Sequence, residues 1–224
     1  MIPWVLLGSA KVPGDDGEMR LYQRGSEFSI RVDHYELMNS RGHGSEDALG
    51  TLAAERIRGR SRARVLVGGL GMGFTAAALL KNLENGGEVV VAELVPDVVV
   101  WNHGPLGAVA EHPLADPRLT VREADVAQVI RTERGAWDAI LLDVDNGPAG
   151  MTTDANDWLY SLDGLRASFA ALRPAGVFAV WSSGDDASFT KRMKQAGFVT
   201  EQIRVRDRGS AGARYLIWIG SRIK

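Results

Sequence analysis

The sequence contains no cysteine. That absence excludes disulfides, thiolate metal sites, cysteine nucleophiles and the cysteine-dependent methylation of cytosine carbon. Long basic runs are missing too. The formal net charge is −2, and the most basic stretch, Arg56 to Arg64, is diluted by glycine and serine and reads as a solvated linker. A polyanionic partner, nucleic acid above all, is therefore not expected. No apolar run approaches membrane-spanning length, and the first residues lack the basic, apolar, small-residue order of a signal peptide. The expectation is a soluble, cytoplasmic protein with no membrane attachment. The four histidines, His34, His43, His103 and His112, have no metal-ligand spacing, so no metal is expected. No N-P-P-Y-like loop of the kind used to methylate amino groups on DNA occurs.

What is present suits one ordinary domain with a small appendage: 224 residues, 45% of them hydrophobic. Residues 1–44 read as an N-terminal β-strand segment. Trp4–Leu7, Met19–Tyr22, Phe28–Val32 and Tyr35–Met38 are short strands separated by turn-rich pieces. Residues 45–63 read as a helix and linker, with Ala48, Leu49, Leu52, Ala53 and Ile57 on one side. Residues 64–224 alternate strands and helices, which predicts a buried, mostly parallel sheet. The strands are expected near 65–68, 89–92, 119–122, 139–142 and 176–181. Phe198–Arg206 and Tyr215–Ile219 are separated only by a short polar turn at Asp207 to Gly212, so they pair antiparallel. An α/β sheet ending in an antiparallel hairpin is the outline of the Rossmann-like class I fold of S-adenosylmethionine-dependent methyltransferases.

The most informative stretch is Arg64 to Thr75. An apolar strand runs into Gly69, Gly71 and Gly73, spaced G-x-G-x-G, and then into a helix. Glycines at such a junction let the backbone approach a ligand closely. Phe74 takes the last glycine position of the dinucleotide fingerprint G-x-G-x-x-G, so a nucleoside fits better than a pyrophosphate. The next apolar run, Glu88 to Glu93, ends in a carboxylate able to accept both hydroxyls of a ribose.

From about Glu27 to Trp181 the chain resembles the spermidine synthase family of aminopropyltransferases, which is built on the methyltransferase fold. Glu93-Leu94-Val95-Pro96-Asp97-Val98-Val99 is similar to its E-L/I-D-P-x-V-V segment. Asp116-Pro117-Arg118-Leu119 with Glu123-Ala124-Asp125 is similar to its D-P-R-V/L…G-D-A segment. Leu172 to Val177 matches its L-R/K-P-G-G-x run, and Glu27-Phe28 and His43-Gly44-Ser45-Glu46 resemble D-E-F and Y-H-E. The resemblance implies that Glu93 holds the ribose, Asp125 the adenine amino group, and His43 part of the cofactor site. Asp143 would face the reacting sulfonium. The bare residues allow a plainer role for Asp125, as the cap of a helix starting at Val126.

Three departures separate the chain from that family. Aligned without gaps, Met72 stands where the family uses an aspartate on the donor's ammonium. The family's D-S/T-S/T-D-P loop becomes Asp143-Val144-Asp145-Asn146-Gly147-Pro148, and Gly42 replaces the tyrosine before the histidine.

Transfer from a sulfonium is a direct displacement, so the protein must align the reactants and remove a proton. Asp143 and Asp145 are the candidate catalytic carboxylates. Trp158, Tyr160 and Trp181 are candidate walls for a cation, and Asp154, Asp157, Asp185 and Asp186 could add negative potential. The leading expectation is aminopropyl transfer from an S-adenosylmethionine-type donor to a small-molecule acceptor such as a polyamine. The alternatives are an S-adenosylmethionine-dependent small-molecule methyltransferase and an inert binding or assembly module. Methionine at position 72 predicts little discrimination between decarboxylated and intact S-adenosylmethionine, or preference for the intact form. The apolar positions of the N-terminal strands are compatible with a homodimer.

Overall fold

A computed structural model describes residues 2–13, 17–84, 86–144, 147–148, 154–208 and 211–223; the side chains of 154–156 and 211 lie outside the description. Four strands come first: β1 (Val5–Lys11), β2 (Glu18–Arg24), β3 (Glu27–Val32) and β4 (Tyr35–Asn39). They pair antiparallel in chain order as one small sheet. Gly25, at φ +60°, makes the two-residue turn between β2 and β3. Helix α1 (Gly44–Arg56) follows.

The second sheet is built from β5 (Arg64–Gly68), β6 (Glu88–Glu93), β7 (Leu119–Glu123), β8 (Trp137–Leu142), β9 (Leu172–Ser182), β10 (Val199–Arg208) and β11 (Ala211–Ser221). Its order is β10-β11-β9-β8-β5-β6-β7. Strands β5 to β9 run parallel, and β11 pairs antiparallel with both β9 and β10. The mostly parallel sheet and its terminal antiparallel hairpin are those of the methyltransferase-like α/β fold expected from the sequence. Helices α2 (Phe74–Asn82), α3 (Pro96–His103), α4 (Val126–Thr132), α5 (Asp154–Tyr160), α6 (Leu162–Ala171) and α7 (Ala187–Gln195) connect the strands.

Successive strand residues face opposite sides of a sheet, which explains the continuous apolar runs. Val65, Val67, Val89, Val91, Ala139 and Leu141 pack on one face against α1, α2 and α3. Leu66, Val90, Ile140, Leu142, Phe178 and Trp218 pack on the other against α4 to α7. Each fully buried side chain of this kind stabilises the fold by about 1.5–3 kcal/mol. At the opposite end of the strands from their C-termini, buried Asp138 accepts hydrogen bonds from Arg60 Nη1 and Arg173 Nη1, each at 2.6 Å, and from the Arg64 amide at 2.8 Å. This pins the start of β5 to β8 and β9.

The small sheet docks through α3. Gly8 of β1 lies where a Cβ would sit 2.9 Å from the Trp101 indole nitrogen, so glycine is what lets the helix approach. Three details differ from the sequence reading. Helix α5 and two short 3-10 turns, Gly107–Ala110 and Pro113–Ala115, were not anticipated. The terminal hairpin is longer, and Asp207 belongs to β10 rather than to the turn. Asp207 and Arg208 look like turn residues by composition, yet ladder pairing uses the backbone and tolerates them on a half-exposed ribbon. Among the described residues, no helix is long and apolar enough to cross a membrane.

Candidate active site

Strand β5 lies between β6 and β8, so the direction of chain winding reverses there. Open α/β sheets bind ligands at this point, outside the carboxyl ends of the strands. A cavity of about 470 Å³ occupies it. The loops after β5, β6, β7 and β8 supply Gly69 and Gly71, Glu93, Asp125 and Asp143. The small N-terminal sheet closes it from above with Met19, Ile30, Glu36 and Met38, and the terminal hairpin adds Asp207 and Tyr215.

The glycine loop is shaped for close approach. Gly69 has φ +85°, and a Cβ there would meet the Asp143 carbonyl oxygen at 2.7 Å. Gly71 has φ +50°, and its missing Cβ leaves room for the Met38 sulfur, which a Cβ would meet at 2.9 Å. Glu93 is buried and grips this loop: Oε2 accepts from the Leu70 amide and Oε1 from the Val95 amide, each at 2.8 Å. Burial pushes its pKa above the ordinary carboxylate value, against the pull of those amides. The Leu94 and Gly71 amides also act on this carboxylate.

Asp125 performs the helix-capping role. Its Oδ1 accepts from the Ala127 amide at 2.8 Å at the start of α4, while the residue also lines the cavity. Its Oδ2 has no hydrogen bond among the described residues.

Asp143 leaves the end of β8 and accepts from the Thr75 hydroxyl at 2.6 Å. Burial raises its pKa to about 6, although the Thr75 hydrogen bond opposes the shift. Beside it stands Glu46, in the first turn of α1. Burial, and next the charge of Asp143, raise its pKa to about 7. The Ser45 hydroxyl donates to Glu46 Oε2. Nothing in the apolar spacing of α1 marked Glu46, because an acid in a first helical turn reads as a partner of the helix dipole. Its signal was present only in the segment resembling Y-H-E.

Trp181 and Tyr215 form one wall, with ring centroids 4.9 Å apart. Burial, then the charges of Asp207 and Glu46, raise the Tyr215 pKa. Asp207 Oδ1 is buried and has no hydrogen-bond partner among the described residues. The lining thus carries six carboxylates, Glu36, Glu46, Glu93, Asp125, Asp143 and Asp207, and no lysine, arginine or histidine among the described residues. The loop 145–153 contains no basic residue either.

Several expected site residues lie elsewhere. Met72 is fully buried in the core and does not line the cavity, because its neighbours Gly71 and Gly73 turn the backbone so that the apolar side chain packs inward. Gly73, at φ +86°, opens α2, and a Cβ there would meet Pro113 rather than the cavity. The His43 ring stacks on Phe74 at 4.1 Å and pairs with Asp47 at 2.7 Å, leaving Gly42, Ser45 and Glu46 to line the site. Trp158 lies under the Arg131 guanidinium, and Tyr160 donates to the Val144 carbonyl oxygen; neither ring lines the cavity. Asp157, Asp185 and Asp186 do not line it, and Asp186 caps α7. Asp145 and the Asp154 side chain lie outside the described residues.

No family model matches the chain. Its sequence is 33% identical over 129 residues to polyamine aminopropyltransferase 2 of Ralstonia nicotianae. That match covers 56% of this chain and 23% of the relative, so the chain corresponds to only part of that longer protein. The fold is similar to that of spermidine synthase from Thermotoga maritima, with a TM-score of 0.75 at 17% identity, covering 97% of this chain and 72% of the other. It is similar also to a spermidine synthase in complex with the transition-state analogue AdoDATO, with a TM-score of 0.74 at 16% identity over the same shares. In fold the chain is similar to spermidine synthases, and over part of its sequence to polyamine aminopropyltransferases. The likeness extends beyond the stretch matched in sequence, since the structural match takes in the N-terminal sheet and the terminal hairpin as well.

Proposed function

We propose that this chain transfers an aminopropyl group from decarboxylated S-adenosylmethionine to an amine. The observation that carries the reading is the sign of the cavity: six carboxylates without a basic side chain among the described lining residues. Both reactants of such a transfer are cations. Intact S-adenosylmethionine ends in a carboxylate as well, which would enter this cavity without a counter-charge and facing like charges. The neutral Met72 was the ground for expecting a preference for the intact donor, and Met72 does not reach the cavity. The polyamine aminopropyltransferase and spermidine synthase relatives, one of the latter holding AdoDATO, support the same choice.

The roles follow from position. Glu93, fixed on the glycine loop, accepts the ribose hydroxyls, and Asp125 accepts from the adenine amino group. Asp143 receives the acceptor's ammonium. Trp181 and Tyr215 offer ring faces to the acceptor's chain. In the transfer the acceptor nitrogen first loses a proton to a carboxylate. Its lone pair then forms a bond to the aminopropyl carbon as the carbon–sulfur bond breaks. Sulfur keeps that electron pair and leaves as a neutral thioether, and the positive charge ends on the product amine. A carboxyl group with a pKa near neutrality suits the proton step better than an ordinary aspartate would.

The test is mass spectrometry of acceptors after incubation with each donor. Gain of an aminopropyl unit by a diamine or other small amine, from the decarboxylated donor, supports the reading. Gain of a methyl group from the intact donor, or no product across a broad amine panel, contradicts it.

A further inference from the structure

Acidic and neutral groups gather around Glu46. Ser45 and Asp47 accompany it on α1, Thr75 stands on α2, Asp143 follows β8, Asp207 lies on β10, and Tyr215 lies on β11. These groups are acidic or neutral; the nearby cationic candidates are His43, which pairs with Asp47 at 2.7 Å, and Arg206 and Arg208, which flank Asp207 on β10, and none of the three lines the cavity. Glu46 is held by its neighbour's hydroxyl and has no salt bridge among the described residues, whereas the carboxylates of Asp116, Asp138 and Asp186 are each paired with arginine. Thr75 links the two acids: its hydroxyl donates to Asp143 Oδ2 and lies 3.3 Å from the Glu46 carbonyl oxygen. Close carboxylates without a cation do not both stay ionised near neutrality, and the protons belong to the pair.

We propose that Glu46 is the final acceptor of the proton released by the acceptor amine, while Asp143 stays ionised and orients that amine. The inference rests on the amine-transfer reading above. Thr75 is the reason for the division of labour. Its hydroxyl stabilises the anion of Asp143, whereas Glu46 is destabilised as an anion by burial and by Asp143 itself. An arriving ammonium screens that repulsion and leaves Glu46 ready to take the proton. As the nitrogen–carbon bond forms, the proton already sits on Glu46, the sulfur carries away the electron pair of the broken bond, and the net charge of the site is unchanged.

The experiment compares wild type, Glu46→Gln and Glu46→Asp, each checked for folding by circular dichroism. It measures kcat, kcat/KM against pH, and the dissociation constant of the decarboxylated donor. For Glu46→Gln the expected results are a kcat at least tenfold lower, a donor affinity within twofold of wild type, and an acid limb of kcat/KM moved to lower pH. Glu46→Asp, which keeps a carboxylate, is expected to recover part of the rate. A folded Glu46→Gln protein with wild-type rate and an unmoved acid limb overturns this inference and leaves the amine-transfer reading standing. A wild type that transfers nothing to any amine overturns both.

Discussion

The Thr75 hydroxyl donates to Asp143 across 2.6 Å and joins the start of α2 to the end of β8 at the floor of the cavity. This hydrogen bond is the one influence that lowers the pKa of a carboxyl which burial raises to about 6. Thr75→Val keeps the shape and removes the hydroxyl. Hydrogen bonds to a charged group contribute about 1.5–3 kcal/mol. The Asp143 pKa is therefore expected to rise by about one unit or more. In Glu46→Gln, where Asp143 is left to set the acid limb of kcat/KM, adding Thr75→Val should move that limb up by the same amount, and an unmoved limb would show that Asp143 does not govern it.

Glu93 anchors the glycine loop and is proposed to hold the ribose, and a substitution should reveal both. In Glu93→Gln one oxygen becomes an amide nitrogen, so either the Leu70 or the Val95 amide loses its acceptor. A buried donor without a partner costs about 1–3 kcal/mol. The expected outcome is a loss of unfolding free energy in that range together with weaker nucleoside binding, measured by urea denaturation and calorimetry on the same protein. Weaker binding with full stability would mean that Glu93 does not anchor the glycine loop.

Asp207 lines the cavity from the hairpin. Its buried Oδ1 has no hydrogen-bond partner among the described residues. Asp207→Asn is expected to raise the acceptor KM by about tenfold, roughly 1.4 kcal/mol, and to leave the donor dissociation constant nearly unchanged. An equal effect on both ligands would place Asp207 in general packing instead.

Stability should depend on pH through Glu46 and Asp143. Both have folded-state pKa values above their ordinary 4.5 and 3.8, at about 7 and about 6. The folded state therefore holds protons that the unfolded state releases. The stabilisation is fully present below about pH 4 and is lost as pH rises to about 7. Urea midpoints at pH 5 and pH 7.5 measure it, and Glu46→Gln should flatten the difference.

The fold was legible because its strands are continuous apolar runs closed by glycine or by an acid, as in Val65 to Gly68 and Glu88 to Glu93. Buried parallel strands leave that mark. The side of the cavity formed by Gly69, Gly71, Glu93 and Asp125 was legible for the same reason, since they lie at strand ends where sequence order fixes position. The other half was not. Met72 looked like a ligand contact only in an ungapped alignment, and a one-residue change in backbone direction along the loop sends it into the core. Glu46 and Asp207 come from a helix and a hairpin that approach the cavity only through tertiary packing. Local pattern explains both residues adequately without a site, one as a helix-dipole acid and the other as a turn residue. Asp143 was visible, but the hydroxyl that holds it, Thr75, belongs to a helix 68 residues away in the chain.

The central claim is that the cavity selects cations and refuses the tail carboxylate of intact S-adenosylmethionine. Calorimetric dissociation constants for the decarboxylated and intact donors, measured side by side on the whole protein, test it most directly. The acidic lining predicts that the decarboxylated donor binds at least about tenfold more tightly, roughly 1.4 kcal/mol. Equal affinity, or tighter binding of the intact donor, would contradict the account.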